Sequence, residues 1–286
     1  MNRNATPAYS GLDGISDVWI SRLGKAGYAT KGVVYAIVGV LAVQAAIGSG
    51  GSAEGTQGAI TEMADEPFGQ VLLPLIAIGL FAYALWRFLE ALLDPGHVGT
   101  DGKGLAKRTA YFASGLIYLG LSVWSTWLVL GRSAGQGSNQ GAGGTGGSRQ
   151  QWTAELLSQP FGPYLVGAIG AVIIGVGLYQ FYSAYSAHFM KNYDAGAMSR
   201  RQRRWARRIG RFGISARAVT FVIIGGFFIQ AAVQFDPSEA RGLGAALQTF
   251  AGQPYGPWLM AVVAAGFIAY GIYCTSRARY SQFSIA

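Results

Sequence analysis

Six long apolar runs constrain this chain more than any other feature of its sequence. They lie near residues 29–48, 70–93, 109–130, 161–186, 213–235 and 255–275. Each holds about 20 residues, enough for a helix rising 1.5 Å per residue to cross a hydrocarbon core of roughly 30 Å. Core helices of a soluble bundle would need a polar face towards water, and runs such as VVYAIVGVLAVQAAI have none. The sequence therefore predicts an all-α polytopic membrane protein with six transmembrane helices.

The composition agrees with lipid as the solvent of this chain. Hydrophobic residues make up 51% of the 286 residues and charged residues only 12%. The formal net charge of +9 does not indicate nucleic-acid binding, because the basic residues cluster between the apolar runs, as in cytoplasmic loops of membrane proteins. The single cysteine, Cys274, excludes an internal disulfide framework. No cleaved signal peptide is expected, because the first run has a close counterpart later in the chain.

The distribution of Lys and Arg predicts the orientation in the membrane. Basic residues close to span ends resist translocation and remain cytoplasmic. With the N-terminus inside, all 22 basic residues except Arg132, Arg149 and Arg241 lie on the cytoplasmic side. We therefore expect both termini to be cytoplasmic.

The six runs form three copies of one two-helix unit. The segments GKAGYATKGVVYAIVGVLAVQAA and GRFGISARAVTFVIIGGFFIQAA match at a shift of 186 residues, and KRTAYFASGLIYLG fits the first of them at a shift of 83. The second helix of each unit follows EPFGQ, QPFGP or QPYGP, with Pro67, Pro160 and Pro254 in equivalent places. Since every unit crosses twice, all three share one orientation, which predicts three tandem helical hairpins with pseudo-threefold symmetry about the membrane normal.

Two local expectations follow from the proline motif. Proline suits the first turn of a helix, so we expect Pro67, Pro160 and Pro254 at the starts of the second helices. The stretches GAITEMA, TAELLS and GAALQTF precede these prolines, and we expect them to form short helices along the outer membrane surface.

The repeats divide the chain into six segments. The boundaries are a cytoplasmic tail over 1–22, the first unit over 23–94, the second over 105–187 with a Gly-rich outer loop over 131–150, an Arg-rich cytoplasmic connector over 188–208, the third unit over 209–279, and a C-terminal tail over 280–286.

The chain resembles a bacterial membrane family called domain of unknown function 1206, in which a two-helix unit occurs three times. The resemblance rests on the G-[KR]-x-G start at Gly24 and Gly210, a degraded version around Arg108, and the three P-[FY]-G motifs. It extends from Leu23 to Arg279 and implies location in the bacterial cytoplasmic membrane. The family has no established activity, so the resemblance implies an architecture and no catalytic residues.

The candidate site residues are basic. Lys31 and Arg217 occupy equivalent positions one to two turns inside the first helices of units one and three, where unit two has Ser114. They either extend to the inner headgroups or face the repeat axis and hold an anionic group such as a lipid phosphate. Ahead of the fifth span lies SRRQRRWARRIGRFG, either an interfacial helix on anionic lipid or an ordinary topology anchor. The candidate anionic-lipid contacts are Lys31, Arg217, Arg200, Arg204, Arg208 and Arg211.

No residues point to catalysis, a cofactor or a metal. Arg87 and Glu90 stand three residues apart on one helix face, which predicts a local ion pair. The two histidines, His97 and His188, are too few for a zinc or two-histidine haem site within one chain. We expect a non-enzymatic helical scaffold that binds lipid or a partner membrane protein, with an apolar, closely packed centre. The alternative is a small transporter or channel with a route along the pseudo-threefold axis.

Overall fold

The computed structural model describes residues 10–48, 55–65, 69–93, 99–133, 152–194 and 196–281. Every regular element in these ranges is helical. Six helices are long and apolar enough to cross a membrane, as predicted. They are α1 Ser10–Ala46, α3 Gly69–Leu92, α4 Gly102–Ser133, α6 Gly162–Tyr185, α7 Arg200–Gln234 and α9 Gly256–Tyr280.

Two long helices, α1 and α7, extend furthest beyond the predicted spans. Helix α1 begins at Ser10, inside the segment interpreted as a tail, although its apolar span starts only at Ser21. Helix α7 begins at Arg200, inside the predicted connector, because Ser199 and Gln202 form a reciprocal capping box at its start. Both helices therefore project from the same end of the bundle, which we call the terminal end because α1 begins there and α9 ends there. Most of the Gly-rich loop over 131–150 lies outside the described residues.

Short helices precede the second long helix of each unit, as the sequence predicts. They are α2 Gly55–Asp65, α5 over 152–157 and α8 Leu243–Ala251. The expected place of the motif prolines is wrong: Pro160 and Pro254 lie before the helices, which begin at Gly162 and Gly256. The Gly162 amide donates to the Gln159 carbonyl at 2.9 Å, and Gly256 makes the equivalent bond, so the motif forms a turn. The next prolines, Pro163 and Pro257, occupy the first helical turn. Pro67 lies outside the described residues.

The long helices stand in a ring whose three inter-unit interfaces are the largest. In each, the first helix of one unit packs against the second helix of another, in the pairs α1 with α9, α3 with α4, and α6 with α7. Smaller interfaces join the two helices within a unit, α1 with α3 and α7 with α9. Around the ring, the order is therefore α4, α3, α1, α9, α7 and α6.

Equivalent residues occupy equivalent places in the three inter-unit interfaces. A Cβ added to Gly39 would lie 2.7 Å from the Ala264 carbonyl oxygen, and one added to Gly225 would lie 2.7 Å from that of Gly170. At the matching place of the third interface, Ser122 Oγ donates to the carbonyl of Ala77 at 2.9 Å. These positions correspond under the repeat shifts of 83 and 186 in first helices and of 93 and 187 in second helices. The predicted pseudo-threefold arrangement is confirmed.

Glycines hold the first and third hairpins together. The backbone of Gly27 in α1 lies against the backbone of Tyr83 in α3, and that of Gly213 in α7 against Tyr270 in α9. One turn further, Gly79 and Gly266 leave room for the facing first helix. Backbones can approach this closely only where a side chain is missing.

The middle hairpin is open. Among the described residues, α4 and α6 form no interface comparable with α1–α3 or α7–α9. In the most apolar 18 residues of each span, α4 and α6 bury only 28% and 22%, against 56% in α1 and α9. The sequence explains the difference, because the glycines at the contact points are replaced by Ala110 and Val172. The ring therefore has a gap between α4 and α6, which we call the α4–α6 opening.

Candidate functional site

The centre of the bundle is closely packed but polar, which corrects the expected apolar centre. Lys31 is only 3% exposed and points into the bundle, where its Nζ donates to the hydroxyl of Tyr83 at 2.9 Å. Its Nζ lies within 4.7–6.0 Å of four ring centroids from α1, α3, α4 and α9, those of Tyr35, Tyr83, Tyr118 and Tyr270. We call these four residues the tyrosine cage. A cation over aromatic faces gains from the ring quadrupoles, which offsets part of its lost hydration.

Arg87 joins this cluster from α3. Its Nη2 donates to Tyr83 Oη at 2.6 Å and to Tyr28 Oη at 3.0 Å. The predicted ion pair is present, with Arg87 Nη1 2.5 Å from Glu90 Oε2. Two basic side chains, those of Lys31 and Arg87, thus share one phenol oxygen.

Arg217 approaches the cage from α7. Its Nη1 donates to Tyr270 Oη at 3.0 Å and to Gln180 Oε1 on α6 at 3.2 Å. The guanidinium carbon lies 4.5 Å from the ring centroid of Phe221 and 4.9 Å from that of Tyr270. Its Nε is buried and has no hydrogen-bond partner among the described residues. Lys31 and Arg217 therefore both face the repeat axis, and Lys31 does not extend to the headgroups.

Cations outnumber acids in this part of the bundle. Lys31, Arg87, Arg217 and Arg277 all lie in the candidate spans, whereas Glu90 is the one acidic residue in the sequence of those six ranges. Glu90 is already paired with Arg87. Ionisable groups in a membrane span are costly, and groups at such positions commonly mark a functional site. The excess of positive charge makes the cluster suited to an anion.

The two middle-unit helices present apolar surface at their opening. On α4, a groove of about 510 Å³ is lined by Leu116, Leu119, Gly120, Val123, Trp124 and Trp127. On α6, Val172 and Val176 are exposed. The equivalents of Val172 and Val176 in unit one, Gly79 and Tyr83, are buried, so this side of α6 is exposed only because the middle hairpin is open.

Arginines at the terminal end fasten neighbouring units together. Arg108 Nε and Nη2 donate to the carbonyls of Ala91 and Leu92 at the end of α3. Arg211 makes the same two bonds to the last residues of α6, at 3.1 and 2.8 Å. A cation is stabilising at a helix C-terminus, where carbonyls lack intrahelical partners. One of the predicted lipid contacts, Arg211, is therefore engaged by the protein itself.

The other predicted lipid contacts form an exposed surface. The side chains of Arg200, Arg204 and Arg208 are exposed on the first turns of α7, with Trp205 beside them. We call these four residues the α7 arginine surface. It lies apart from Lys31 and Arg217, so the six predicted contacts belong to three different environments. Their contact with lipid remains a prediction.

Among the described residues outside the spans, Tyr193 and Asp236 have shifted pKa values. Burial raises the pKa of Tyr193, whose hydroxyl lies 2.5 Å from Ser276 Oγ at the terminal end. Hydrogen bonds from Ser238 lower the pKa of Asp236, which caps a single 3-10 turn after α7. Among the described residues, no three His, Cys, Asp or Glu side chains converge to hold a metal ion.

Sequence reasoning missed the tyrosine cage, although the repeats carried a signal for it. Tyr35 and Tyr118 are equivalent in the first helices, and Tyr83 and Tyr270 are equivalent in the second helices. Four tyrosines at only two repeat positions, both level with Lys31 and Arg217, indicate a shared centre once the units are arranged about an axis.

Comparison with known proteins agrees with this architecture. The family described as Domain of Unknown Function (DUF1206) matches residues 26–94, 109–187 and 212–281, one match for each unit. The chain belongs to this family. The uncharacterized protein YxxB of Bacillus subtilis (strain 168) is 36% identical to this chain over 266 residues, which cover 93% of each protein. No solved structure matches. The DUF1206 unit is thus the two-helix hairpin described above, and its family assignment brings no activity with it.

Proposed function

We propose that this DUF1206 protein is a non-catalytic helical scaffold of the bacterial cytoplasmic membrane that binds anionic lipid at its cytoplasmic face. The observation that carries the proposal is the α7 arginine surface. Its three arginines and Trp205 project outward from a helix that continues directly into a membrane span. Basic residues that flank aromatic side chains at a membrane surface attract anionic headgroups, by roughly 1 kcal/mol per residue.

The proposal places the terminal end in the cytoplasm. Arg108, Arg211 and the α7 arginine surface all lie at this end, and the opposite end carries Glu62 of α2 and Glu239. This asymmetry of charge is the pattern of the positive-inside rule. The N-terminal turns of α7 add the partial positive charge of a helix start, which favours an anion further.

Lipid titration of the purified, full-length protein tests the proposal. The protein in detergent is titrated with phosphatidylglycerol or with phosphatidylcholine, and bound lipid is counted by native mass spectrometry. The variant R200Q/R204Q/R208Q should lose its preference for phosphatidylglycerol by about fivefold per arginine. The matched control R200K/R204K/R208K keeps the charges and should retain the preference. Equal binding of phosphatidylglycerol by wild type and the glutamine variant would reject the proposal in favour of a partner membrane protein.

The arrangement offers no support for a route along the axis. Tyr83, Tyr118 and Tyr270 are buried there and pack around Lys31. A transport route needs a cavity lined by polar groups along its length, whereas these side chains fill the centre.

A further inference from the structure

The α4–α6 opening exposes one face of α4 that is buried in its repeat counterpart. Ile117 is 65% exposed, whereas the equivalent Val34 of α1 is 2% exposed. Ala110 and Gly120 lie on the same face, one turn or two away, and are exposed as well. In α1 this face packs against α3, so its exposure in α4 reflects the missing hairpin interface.

The facing side of α6 is exposed in the same way. Val176 is 39% exposed and its equivalent Tyr83 in α3 is fully buried. Val172 and Tyr179, at the positions of Gly79 and Trp86, are exposed too. Both walls of the opening are therefore apolar.

The two walls of the opening each pack against a neighbouring helix. Helix α4 keeps its interface with α3, and α6 keeps its interface with α7, in the places set by the pseudo-threefold repeat. A further helix would need axis distances of 8–10 Å to both walls. A flexible acyl chain needs no such spacing and can follow an irregular apolar slot.

Arg217, which lies beside the opening, indicates that the molecule bound there carries an anionic headgroup. Arg217 donates to Gln180, which stands one turn from Val176 on the same face of α6. Arg217 is half-buried and its buried Nε has no partner among the described residues. Ser114, also half-buried, faces the axis from the equivalent position of α4. A lipid phosphate at this level would pair with Arg217, which has no carboxylate partner among the described residues. The acyl chain of the same lipid would then lie beside Val176.

We infer that the α4–α6 opening holds one acyl chain of an anionic phospholipid, with the lipid phosphate bound at Arg217. The inference rests on the proposed function, because it takes anionic lipid as the ligand, and it adds a second, intramembrane site with its own residues. The lipid replaces the helix contact that the middle unit lacks. It also supplies a negative charge to Arg217, since Glu90 is paired with Arg87.

Photocrosslinking of the wild-type protein provides the test. The full chain is reconstituted in phosphatidylcholine vesicles that contain phosphatidylglycerol with a diazirine on one acyl chain, and the labelled residues are mapped by peptide mass spectrometry. We expect labelling of 110–120 and 172–179 to exceed that of outward faces such as the one around Ile78. Even labelling of all exposed apolar faces would mean annular lipid only and would overturn the inference. Loss of this labelling as the protein-to-lipid ratio rises would show that a second copy of the chain covers this face, and would overturn the inference as well.

Two variants test the acyl-chain site and the phosphate site separately. Val176→Trp fills the slot and should remove most of the labelling there, whereas the matched control Ile78→Trp, on an outward face of α3, should leave it unchanged. Arg217→Gln should reduce the preference of the slot for the phosphatidylglycerol probe over a phosphatidylcholine probe by about tenfold, because one charge-assisted hydrogen bond to the phosphate is lost. An equal preference in wild type and Arg217→Gln would overturn the assignment of the phosphate.

The two proposals fail separately. R200Q/R204Q/R208Q removes the α7 arginine surface and should leave the slot labelled as in wild type. If that variant loses slot labelling while Val176→Trp retains it, the lipid lies only at the surface and the slot is contradicted.

Discussion

Gly79 of α3 lies so close to Thr30 of α1 that an added Cβ would come within 2.6 Å of the Thr30 Cβ. The equivalent residue in the middle unit is Val172, and there the two helices of the hairpin do not pack. Replacing Gly79 with valine should therefore force the first hairpin apart. We expect a loss of about 1–3 kcal/mol in the free energy of unfolding, as for other overpacked cores.

The reverse change at the middle unit supplies the control. Val172→Gly removes an exposed side chain and should cost only about 1 kcal/mol, the usual penalty for glycine inside a helix. Both free energies can be measured by unfolding in mixed micelles with added SDS. A Gly79→Val variant as stable as wild type would show that glycine is not needed at this contact.

Arg108 and Arg211 should contribute equally to stability, because each donates two hydrogen bonds to the end of a neighbouring helix. Replacement of either by alanine should cost about 1 kcal/mol, and the double variant should lose the sum, since the two interfaces share no residue. Lys107→Ala, an exposed neighbour, serves as the control and should have no measurable effect. Losses confined to one of the two arginines would argue against equivalent interfaces.

The Lys31–Tyr83 contact should show strong coupling. Tyr83→Phe leaves Lys31 and Arg87 without their shared acceptor and should cost about 2 kcal/mol. Lys31→Met removes a buried amine and should be nearly neutral, because the desolvation cost disappears with the polar group. In Lys31→Met/Tyr83→Phe the loss should be clearly smaller than in Tyr83→Phe alone. Additive losses in this double-mutant cycle would show that the hydrogen bond carries no energy.

The number of spans and their grouping could be predicted from sequence, because both depend on local properties. Twenty apolar residues cross a bilayer whatever surrounds them, and matching residues such as Gly39 and Gly225 reveal the repeat directly. The local pair of Arg87 and Glu90 follows from helix geometry in the same way.

The open middle hairpin could not be predicted so directly, because it depends on which helix faces which. Val172 is an ordinary residue of a membrane span until the structure places Gly79 and Gly266 at the same position of two packed hairpins. The direction of Lys31 also needed tertiary information, since its position allows the side chain to reach either the headgroups or the axis. The rings of Tyr83, Tyr118 and Tyr270, on other helices, surround Lys31 Nζ and show that the side chain points towards the axis.

Tyr193 should make stability fall at high pH. Burial raises its pKa in the folded protein, whereas in the unfolded chain it ionises near its ordinary value of about 10. The stabilisation is therefore fully present below pH 10 and is lost as the pH rises above it. Tyr193→Phe should show a shallower loss of stability between about pH 10 and 11, and Tyr185→Phe, an exposed control, should follow wild type. Identical slopes for Tyr193→Phe and wild type would contradict the assigned burial.

The distance between the two helices of each hairpin tests the central claim, a threefold repeat that is open at one unit. Pulsed electron paramagnetic resonance on the Cys274→Ala protein in liposomes compares spin-label pairs at equivalent positions of the three hairpins. The pairs are Val33 with Ile78, Leu116 with Ala171, and Val219 with Ala265. We expect the first and third distances to agree and the middle one to be longer. Three equal distances would contradict the open middle unit, and three unrelated ones would contradict the repeat.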